Sequence, residues 1–392
     1  MIKNPSRIES IDIFRALTMF LMIFVNDLWT LHDIPGWLEH ARATEDRMGL
    51  ADVVFPAFLF IVGLSIPFAI EARRKHGEKD LQILVHIGKR ALALIIMGFF
   101  MVNLENTDSG LLPIRAEFWQ ILMAFFFILI WNDYPGKKIT GIPVWLLEWL
   151  GVAGLIVLAA IYKGGTTGTP HWMQPHWWGI LGLIGWAYLL CALVYLFAGK
   201  RLVWIMLSFL VLMMLNVQEF FRPEGWPRIW LIVSASNHVL VMGGVLASVL
   251  YIKLTAANRK AWFIAGLFAL AVITIVFGFA VRPFWGISKI LATPSWSAIC
   301  GGISFAMMGL LYCMADMLGF SGWAGLIRPA GRSTLTCYLI PYFYYAALDL
   351  SGIRLPEYLR GGGIGIVKSL LFALLIIGIT RLFEMAKIRL KI

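Results

Sequence analysis

Two stretches of the chain are apolar without interruption: Leu-Ala-Leu-Ile-Ile-Met-Gly-Phe-Phe-Met-Val at residues 92–102 and Leu-Leu-Phe-Ala-Leu-Leu-Ile-Ile-Gly-Ile at residues 370–379. A strand of a transmembrane β-barrel alternates apolar and polar residues over about ten positions. Neither stretch alternates in this way, so both predict helices that are apolar on every side. Such helices are typical of membrane spans.

Composition extends this prediction to the whole chain. Hydrophobic residues make up 60% of the 392 residues and charged residues 14%, whereas a soluble protein has about 25% charged residues. Twelve spans of about 20 residues would use roughly 240 residues, close to the apolar share. We therefore expect one all-α polytopic membrane domain, residues 1–392, with about twelve (10–12) transmembrane helices. The predicted segments are 11–31, 50–71, 84–103, 116–132, 142–162, 179–198, 201–216, 232–252, 261–281, 296–318, 333–349 and 363–383.

Basic residues are concentrated in alternate loops. The net charge of +11 does not indicate a nucleic acid partner, because short loops rich in Lys and Arg serve to orient a membrane protein. Loops on the side of the N-terminus carry about twice as many basic residues as the others, which predicts that both termini are cytoplasmic. The four cysteines lie in apolar segments without a Cys-x-x-Cys pair, so we expect neither a disulfide nor a metal site.

The first segment carries polar residues along one face. Asp12 and Arg15 are three residues apart, and Asn26 follows Arg15 by about three helical turns, roughly 16 Å along the axis. Ionisable residues inside a span are costly unless they face a polar cavity or a partner. This stripe therefore predicts the wall of a polar channel. The alternative is that Asp12 and Arg15 form an interfacial ion pair and Asn26 a hydrogen bond between helices.

The loop after this segment is rich in acidic residues and histidine. It contains two histidines near four carboxylates, and Asp52 follows at the start of the second segment; the loop residues are His32, Asp33, Glu39, His40, Glu45 and Asp46. A histidine beside a carboxylate is a candidate general base near neutral pH. The alternative is that these histidines are simply solvated. Their spacing matches no compact metal-ligand pattern.

A second acidic residue and its basic neighbour lie farther along the chain. Asp316 and Arg332 flank the loop between the tenth and eleventh segments. Two interpretations stay open for them: an ion pair at the inner membrane surface, or contacts with a bound anion.

Two blocks of the sequence resemble the heparan-alpha-glucosaminide N-acetyltransferase family. The first, residues 7–70, includes Arg7-Ile-Glu-Ser-Ile-Asp-Ile-Phe-Arg, the pair His40-Ala41, and Ala51-Asp-Val-Val-Phe-Pro-Ala-Phe. The second and weaker block, residues 282–345, includes Ser288-Lys-Ile-Leu-Ala-Thr-Pro-Ser-Trp and Gly331-Arg-Ser-Thr. The family has an asparagine in its Gly-x-Asn-Ser motif, which this chain lacks.

The resemblance implies a membrane enzyme that transfers an acetyl group from cytoplasmic acetyl-CoA to the amine of a terminal glucosamine on the far side. The family's catalytic histidine corresponds to His40, its asparagine to Asn26, its helix-start aspartate to Asp52, and the arginine of its Asp-x-x-Arg motif to Arg15. The expected location is a bacterial cytoplasmic (inner) membrane, with the His40 loop on the periplasmic side.

These expectations assign a role to each candidate residue. His40 would act as general base or as acetyl-imidazole nucleophile, Asn26 would bind the oxyanion, and Asp52 would orient the imidazole or bind the acceptor's ammonium group. Basic residues at the inner face would hold the CoA phosphates; these are Arg15, Arg90, Arg328 and Arg332. The acceptor would contact residues of the outer loops, namely Trp29, Glu39, Asp46 and Lys289. Besides acetyl-CoA, an amino sugar and membrane lipid, a second copy of the chain is a candidate partner.

Three other functions fit parts of the pattern. An enzyme of the same kind could O-acetylate a cell-surface glycan. Twelve spans with both termini inside also suit a sugar transporter. A scaffolding membrane protein would leave the stripe of Asp12, Arg15 and Asn26 without a purpose.

Overall fold

The computed structural model describes residues 8–107, 110–139, 141–166, 169–221 and 231–392. Arg7, which opens the predicted block 7–70, lies outside them. Thirteen α-helices are found in this part of the chain: α1 (Glu9–Asp27), α2 (Leu50–Lys75), α3 (Asp80–Leu104), α4 (Ala116–Trp131), α5 (Val144–Ile161), α6 (Gly179–Ala198), α7 (Leu202–Phe220), α8 (Ala235–Ala256), α9 (Lys260–Trp285), α10 (Pro294–Leu311), α11 (Arg328–Arg332), α12 (Thr334–Ser351) and α13 (Gly362–Met385).

The strands are limited to two small hairpins. Strand β1 (Lys138–Ile139) pairs antiparallel with β2 (Ile142–Pro143), and β3 (Gly164–Thr166) pairs with β4 (Thr169–His171). A π-helical turn, Tyr312–Met317, extends α10. The predicted all-α class is therefore confirmed.

Each of the twelve predicted segments coincides with one helix. The least separated pair, 179–198 and 201–216, forms α6 and α7, which are joined by a tight turn at Gly199 with φ of +57°. Glycine adopts this conformation without the clash that a Cβ would cause. The sharp turn explains how three residues suffice between two long helices.

Fewer than twelve of these helices meet the criteria for a membrane span. In the described residues, nine helices are long and apolar enough to cross a bilayer. Helix α4 has 16 residues, fewer than the roughly 20 that a span needs. Helix α1 includes Glu9, Asp12, Arg15 and Asp27 among its 19 residues. The count of twelve spans and the cytoplasmic termini stay predictions.

The helices pack around α8 and α10. Most residues of these two helices are buried inside the bundle, with α2 along α8 and α9 along α10. Helices α5, α7 and α9 instead expose large apolar side chains, such as Trp149, Val203 and Ile273. Exposed apolar faces of this kind are expected where helices contact lipid rather than water.

Asp316 fixes the start of α1 from a distant part of the chain. Its two carboxylate oxygens accept hydrogen bonds from the amides of Glu9 and Ser10, both at 3.0 Å. A carboxylate at a helix N-terminus satisfies amides that have no partner within the helix. Within the described residues Asp316 makes no ion pair with Arg332, so the first interpretation of this pair was wrong.

Two glycines allow α2 and α8 to approach closely. A Cβ atom on Gly63 would overlap the carbonyl oxygen of Val241, and one on Gly244 would overlap the carbonyl oxygen of Phe60. Small residues bring helices into such contact in membranes, where van der Waals packing drives association. The carbonyl oxygens of Val241 and Phe60 belong to the backbone, so they cannot avoid a Cβ atom by a change of rotamer.

We expect the Gly244→Ala substitution to destabilise the protein by about 1–3 kcal/mol, because the added methyl forces α2 and α8 apart. Thermal unfolding of the purified protein in detergent measures the change. Gly266→Ala is the matched control, since a Cβ at Gly266 meets no atom within 4 Å. Equal midpoints for the two variants would contradict the importance of this close approach.

Candidate active site

The polar face of α1 lines three neighbouring cavities. The inner cavity, about 300 Å³, is lined by Glu9, Asp12, Arg15, Arg328 and Arg332 among others. We use "inner" for the end of the bundle where α1 begins. Arginines from three parts of the chain line this cavity: Arg15 of α1, Arg328 and Arg332 of α11, and Arg389 of the C-terminal segment.

A middle cavity of about 310 Å³ continues from it. Arg15 and Arg332 belong to the walls of both cavities, and Met19 and Met22 extend the lining along α1. Arg90 of α3 reaches the same space. Two of its residues, Ile180 and Tyr338, also line the outer cavity, so the two spaces are neighbours there.

The outer cavity is the largest, about 830 Å³. Asn26 and Trp29 line it, together with Glu105, Gln120 and Tyr344. Aromatic rings beside amide and carboxylate groups suit a sugar, which presents apolar ring faces and hydroxyl groups. Arg15 and Asn26 therefore both face cavities, as the spacing along α1 predicts.

Arg15 is held in place inside the bundle. Its guanidinium lies 3.4 Å from Asp12 Oδ1 and donates to Ser65 Oγ at 2.8 Å. Ser65 belongs to α2, so the contact joins the first two helices. The Asp12–Arg15 pair exists as the alternative interpretation proposed, but it lies at a cavity wall.

Asp27, which the sequence interpretation overlooked, anchors the outer end of α1. Its carboxylate accepts hydrogen bonds from Tyr345 Oη at 2.6 Å, Lys368 Nζ at 2.7 Å and Ser369 Oγ at 2.6 Å. Lys368 Nζ also donates to Thr30 Oγ1 at 2.8 Å. A buried ion pair is tolerated when further hydrogen bonds satisfy its remaining atoms. Lys368 could have indicated this contact from the sequence, because a lysine in an apolar segment requires an acidic or polar partner nearby.

His40 lies in a second cluster, at the start of α2. Its Nδ1 is 2.7 Å from Asp52 Oδ1, and the other carboxylate oxygen accepts from the amides of Ala41 and Gly49 at 2.9 and 3.1 Å. Asp52 is 1% exposed. It therefore caps α2 and fixes the loop at the same time.

This geometry selects one tautomer of His40. With Asp52 ionised, the proton belongs on Nδ1, where it is donated to the carboxylate. The Nε2 lone pair is then free to accept a proton.

Lys289 completes the cluster from the loop between α9 and α10. Its Nζ is 3.2 Å from His40 Nδ1. Burial lowers the pKa of Lys289, and the Asp52 carboxylate acts in the opposite direction. The lysine predicted to bind the acceptor thus lies against the predicted base.

The structure separates Asn26 from this cluster. His40, Asp52 and Lys289 do not line the outer cavity, and within the described residues no hydrogen bond joins Asn26 to His40. About half of the His40 side chain, 48%, is exposed. Of the three predicted catalytic residues, two are therefore in contact and the third lies in the cavity wall.

The remaining predicted acceptor residues differ in their surroundings. Asp46 was predicted to bind substrate, but its carboxylate accepts from Arg282 Nε at 2.9 Å and the Ile287 amide at 2.6 Å. Both contacts engage the carboxylate and fix the loop before α10, and the role of Asp46 in substrate binding stays a prediction. Glu39 is exposed beside His40. Trp29 packs edge-on against Tyr345, with ring centroids 5.7 Å apart.

The predicted CoA residues lie at the inner cavities. Arg328 forms an ion pair with Glu9, and the carbonyl oxygen of Arg332 accepts from Arg389 at 2.7 Å. Arg389 also lines the inner cavity but was not among the residues predicted to bind CoA. Its place in a basic C-terminal segment was the available signal. All four arginines that were predicted to bind CoA line the inner or the middle cavity: Arg15, Arg90, Arg328 and Arg332.

The first quarter of the chain, which contains α1 to α3, is similar to known proteins. Residues 7–106 match the family described as heparan-alpha-glucosaminide N-acetyltransferase, catalytic. Over these residues the chain is similar to this family. The matched residues include Arg15, Asn26, His40, Asp52 and Arg90, whereas the second block, 282–345, lies outside the match.

Two curated relatives carry the same description. The heparan-alpha-glucosaminide N-acetyltransferase of Homo sapiens is 33% identical over 99 residues, which cover 25% of this chain and 14% of the human protein. That of Mus musculus is 32% identical over 100 residues, 26% of this chain and 14% of the mouse protein. The similarity thus spans about one seventh of the length of these relatives.

A clasp of two loops lies beside the outer cavity. The backbone of His32 pairs with the segment before α13, with hydrogen bonds to Arg360 and Gly362 of 2.9 and 3.2 Å. The ring nitrogens of His32 lie 2.9 Å from Asp33 and 2.7 Å from Glu357. Because Arg360 lines the outer cavity, this clasp holds part of its wall.

We expect the clasp to loosen as pH rises. Hydrogen bonds to Asp33 and Glu357 raise the pKa of His32 above its usual value. A raised pKa means that the clasp is complete below the ordinary histidine pKa and is lost as pH rises through the raised value. Hydrogen–deuterium exchange of the Gly362 amide, corrected for intrinsic exchange, should therefore show more protection at pH 5.5 than at pH 8. In a His32→Gln variant the protection should not change with pH, and an unchanged pH response in that variant would contradict the assignment.

Proposed function

We propose that this chain is a membrane acetyltransferase. It takes the acetyl group of acetyl-CoA at the inner cavity and transfers it to the amine of a glucosamine or a related amino sugar at the outer end. The observation that carries the proposal is the row of cavities along α1, inside the residues that match the catalytic family. The row gives one substrate a route toward the other from opposite ends of the bundle.

The inner cavity suits the nucleotide end of the donor. The phosphates of CoA are anionic, and Arg binds phosphate with paired, charge-assisted hydrogen bonds. Arg15, Arg328, Arg332 and Arg389 converge there, with Arg90 in the adjoining middle cavity. The methionines and leucines of the middle cavity suit the less polar arm that carries the thioester.

The outer end of α1 suits the acyl transfer itself. The amide of Asn26 would donate a hydrogen bond to the carbonyl oxygen of the thioester, which gains negative charge as the amine attacks. Asp27 holds the neighbouring backbone through Tyr345 and Lys368. An oxyanion donor is most effective when it is held in place before the reaction.

His40 would accept the proton of the attacking amine. The Nδ1–Asp52 hydrogen bond leaves Nε2 available for this step, and the neutral amine then forms the amide while CoA leaves as the thiol. Because His40 and Asn26 lie on separate elements, the proposal requires the amine and the thioester to meet between Nε2 and the outer cavity when substrates bind. A transient acetyl group on Nε2 is the alternative course.

The His40→Ala variant should lose acetyl transfer by about 10²- to 10⁴-fold, the usual contribution of a general base. The measurement is transfer of labelled acetyl from acetyl-CoA to glucosamine by the full chain in proteoliposomes, with a sugar that has only hydroxyl groups as the second acceptor. His176→Asn is the matched control, because His176 is an exposed histidine with φ of +44°, which asparagine tolerates. Transfer by His40→Ala at the wild-type rate would refute the assignment. Equal labelling of both sugars would refute the amine acceptor.

The Ile180→Trp variant should reduce transfer at least about tenfold without unfolding the protein. Ile180 lines both the middle and outer cavities, so a larger ring would obstruct the route between them, whereas overpacking a cavity wall costs only about 1–3 kcal/mol. Binding of labelled CoA at the inner end should persist. Ile180→Val is the control, since it keeps the route open. Full activity of the tryptophan variant would show that the acetyl group does not pass this point.

A further inference from the structure

A second recess lies at the inner end of the bundle, between α2 and α3. Its volume is about 440 Å³. We name it the basic groove, because its lining includes the basic residues Arg73, His86, Lys89 and Arg90. Most of the remaining lining is apolar and includes Ile70 and Ile87. Neither the route along α1 nor the cluster at His40 uses this space, apart from Arg90, which lines both the groove and the middle cavity.

The charges of the groove are only partly balanced. Glu78 accepts from Arg73 at 2.9 Å and lies 3.6 Å from His86. Lys89 and Arg90 have no acidic partner among the described residues. The groove therefore carries an excess of positive charge at the end of the bundle where α2 finishes and α3 begins.

Arg90 has a hydrogen-bond donor without an acceptor. Its guanidinium stacks over the ring of Tyr188, 5.0 Å from the centroid, and its Nε is buried without a hydrogen-bond partner in the part of the chain described. Buried donors are nearly always satisfied by protein, water or a bound group. A cationic donor without a protein acceptor, placed in a basic recess, suits an anionic group.

The surroundings of the groove indicate which anion. Leu92 lines the groove and is 57% exposed, and Leu81 and Val85, earlier on α3, are also exposed. Apolar side chains exposed on a membrane helix face acyl chains, so the groove opens toward the bilayer. A soluble phosphate would leave the apolar residues of the groove uncovered. A lipid would cover them with an acyl chain and bring its phosphate to the basic residues.

We propose that the basic groove binds an anionic membrane phospholipid. The headgroup phosphate contacts Lys89 and Arg90, and an acyl chain lies along Ile70 and Ile87. Basic pockets between membrane helices bind anionic headgroups in this manner. The site shares Arg90 with the wall of the middle cavity, has no residue in common with the inner or outer cavity, and does not depend on the acetyltransferase proposal.

Native mass spectrometry of the full chain in detergent tests the proposal, with phosphatidylglycerol and phosphatidylcholine added at equal concentration. The protein should retain phosphatidylglycerol in preference, and Lys89→Ala should weaken this retention about fivefold, since a basic residue near a membrane contributes about 1 kcal/mol to anionic lipid binding. Lys260→Ala, an exposed lysine at the start of α9, is the matched control and should bind like the wild type. Ala69→Trp should also abolish retention, because Ala69 is an exposed residue of the groove wall and the larger ring fills the recess.

Three results would overturn the proposal. They are equal retention of the two lipids, equal loss in the Lys89 and Lys260 variants, and displacement of the bound lipid by added CoA. The last would assign the groove to the acetyl donor instead. Because each result is measured without acetyl transfer, it is independent of whether the chain acts as an acetyltransferase.

Discussion

The charged residues of α1 impose the main constraint on this structure. A charge in a membrane interior needs a partner or a polar cavity, and this helix carries Glu9, Asp12, Arg15 and Asp27. Asp27 finds Lys368 on α13, while Arg15 reaches Ser65 on α2 and the cavity wall. A helix with such requirements cannot lie at the lipid boundary. Its placement inside the bundle in turn creates the cavities along its length.

The residues of the proposed chemistry are divided between the rigid end of α1 and a loop. The outer end of α1 is fixed by three side-chain hydrogen bonds to Asp27, so Asn26 has little freedom. His40 is fixed to the start of α2 by Asp52 but remains half exposed in the loop. Under the proposed function, Asn26 would stay still as the oxyanion donor while the acceptor approaches His40 from outside, which suits a large second substrate.

Much of the architecture follows from hydropathy, and much of the site does not. Continuous apolar runs locate all twelve long helices, even where only Gly199, Lys200 and Arg201 divide two of them, because burial of apolar side chains determines helix position locally. The spacing of Arg15 and Asn26 also predicts that they share a face. Helix periodicity is a property of neighbouring residues, so it can be seen in the sequence.

Long-range contacts could not be predicted in the same way. Asp46 and Arg282 are 236 residues apart, and Asp316 lies more than 300 residues after the amides that it caps. Nothing in the local sequence distinguishes the carboxylate of Asp46 from one that is free to bind an ammonium group. The separation of Asn26 from His40 has the same origin, because the loop is held by Arg360, Gly362 and Lys289, which come far later in the chain.

The contacts of α1 also have a consequence for biosynthesis. Both of its ends are held by residues from the last fifth of the chain, Asp316 at the start and Lys368 with Ser369 at the finish. The helix is translated first, yet its partners leave the ribosome last. During most of translation its acidic groups must be sheltered by water or by the insertion machinery, and α1 reaches its final place only when α13 arrives. The first helix of the segment that matches the family is thus made first and fixed last.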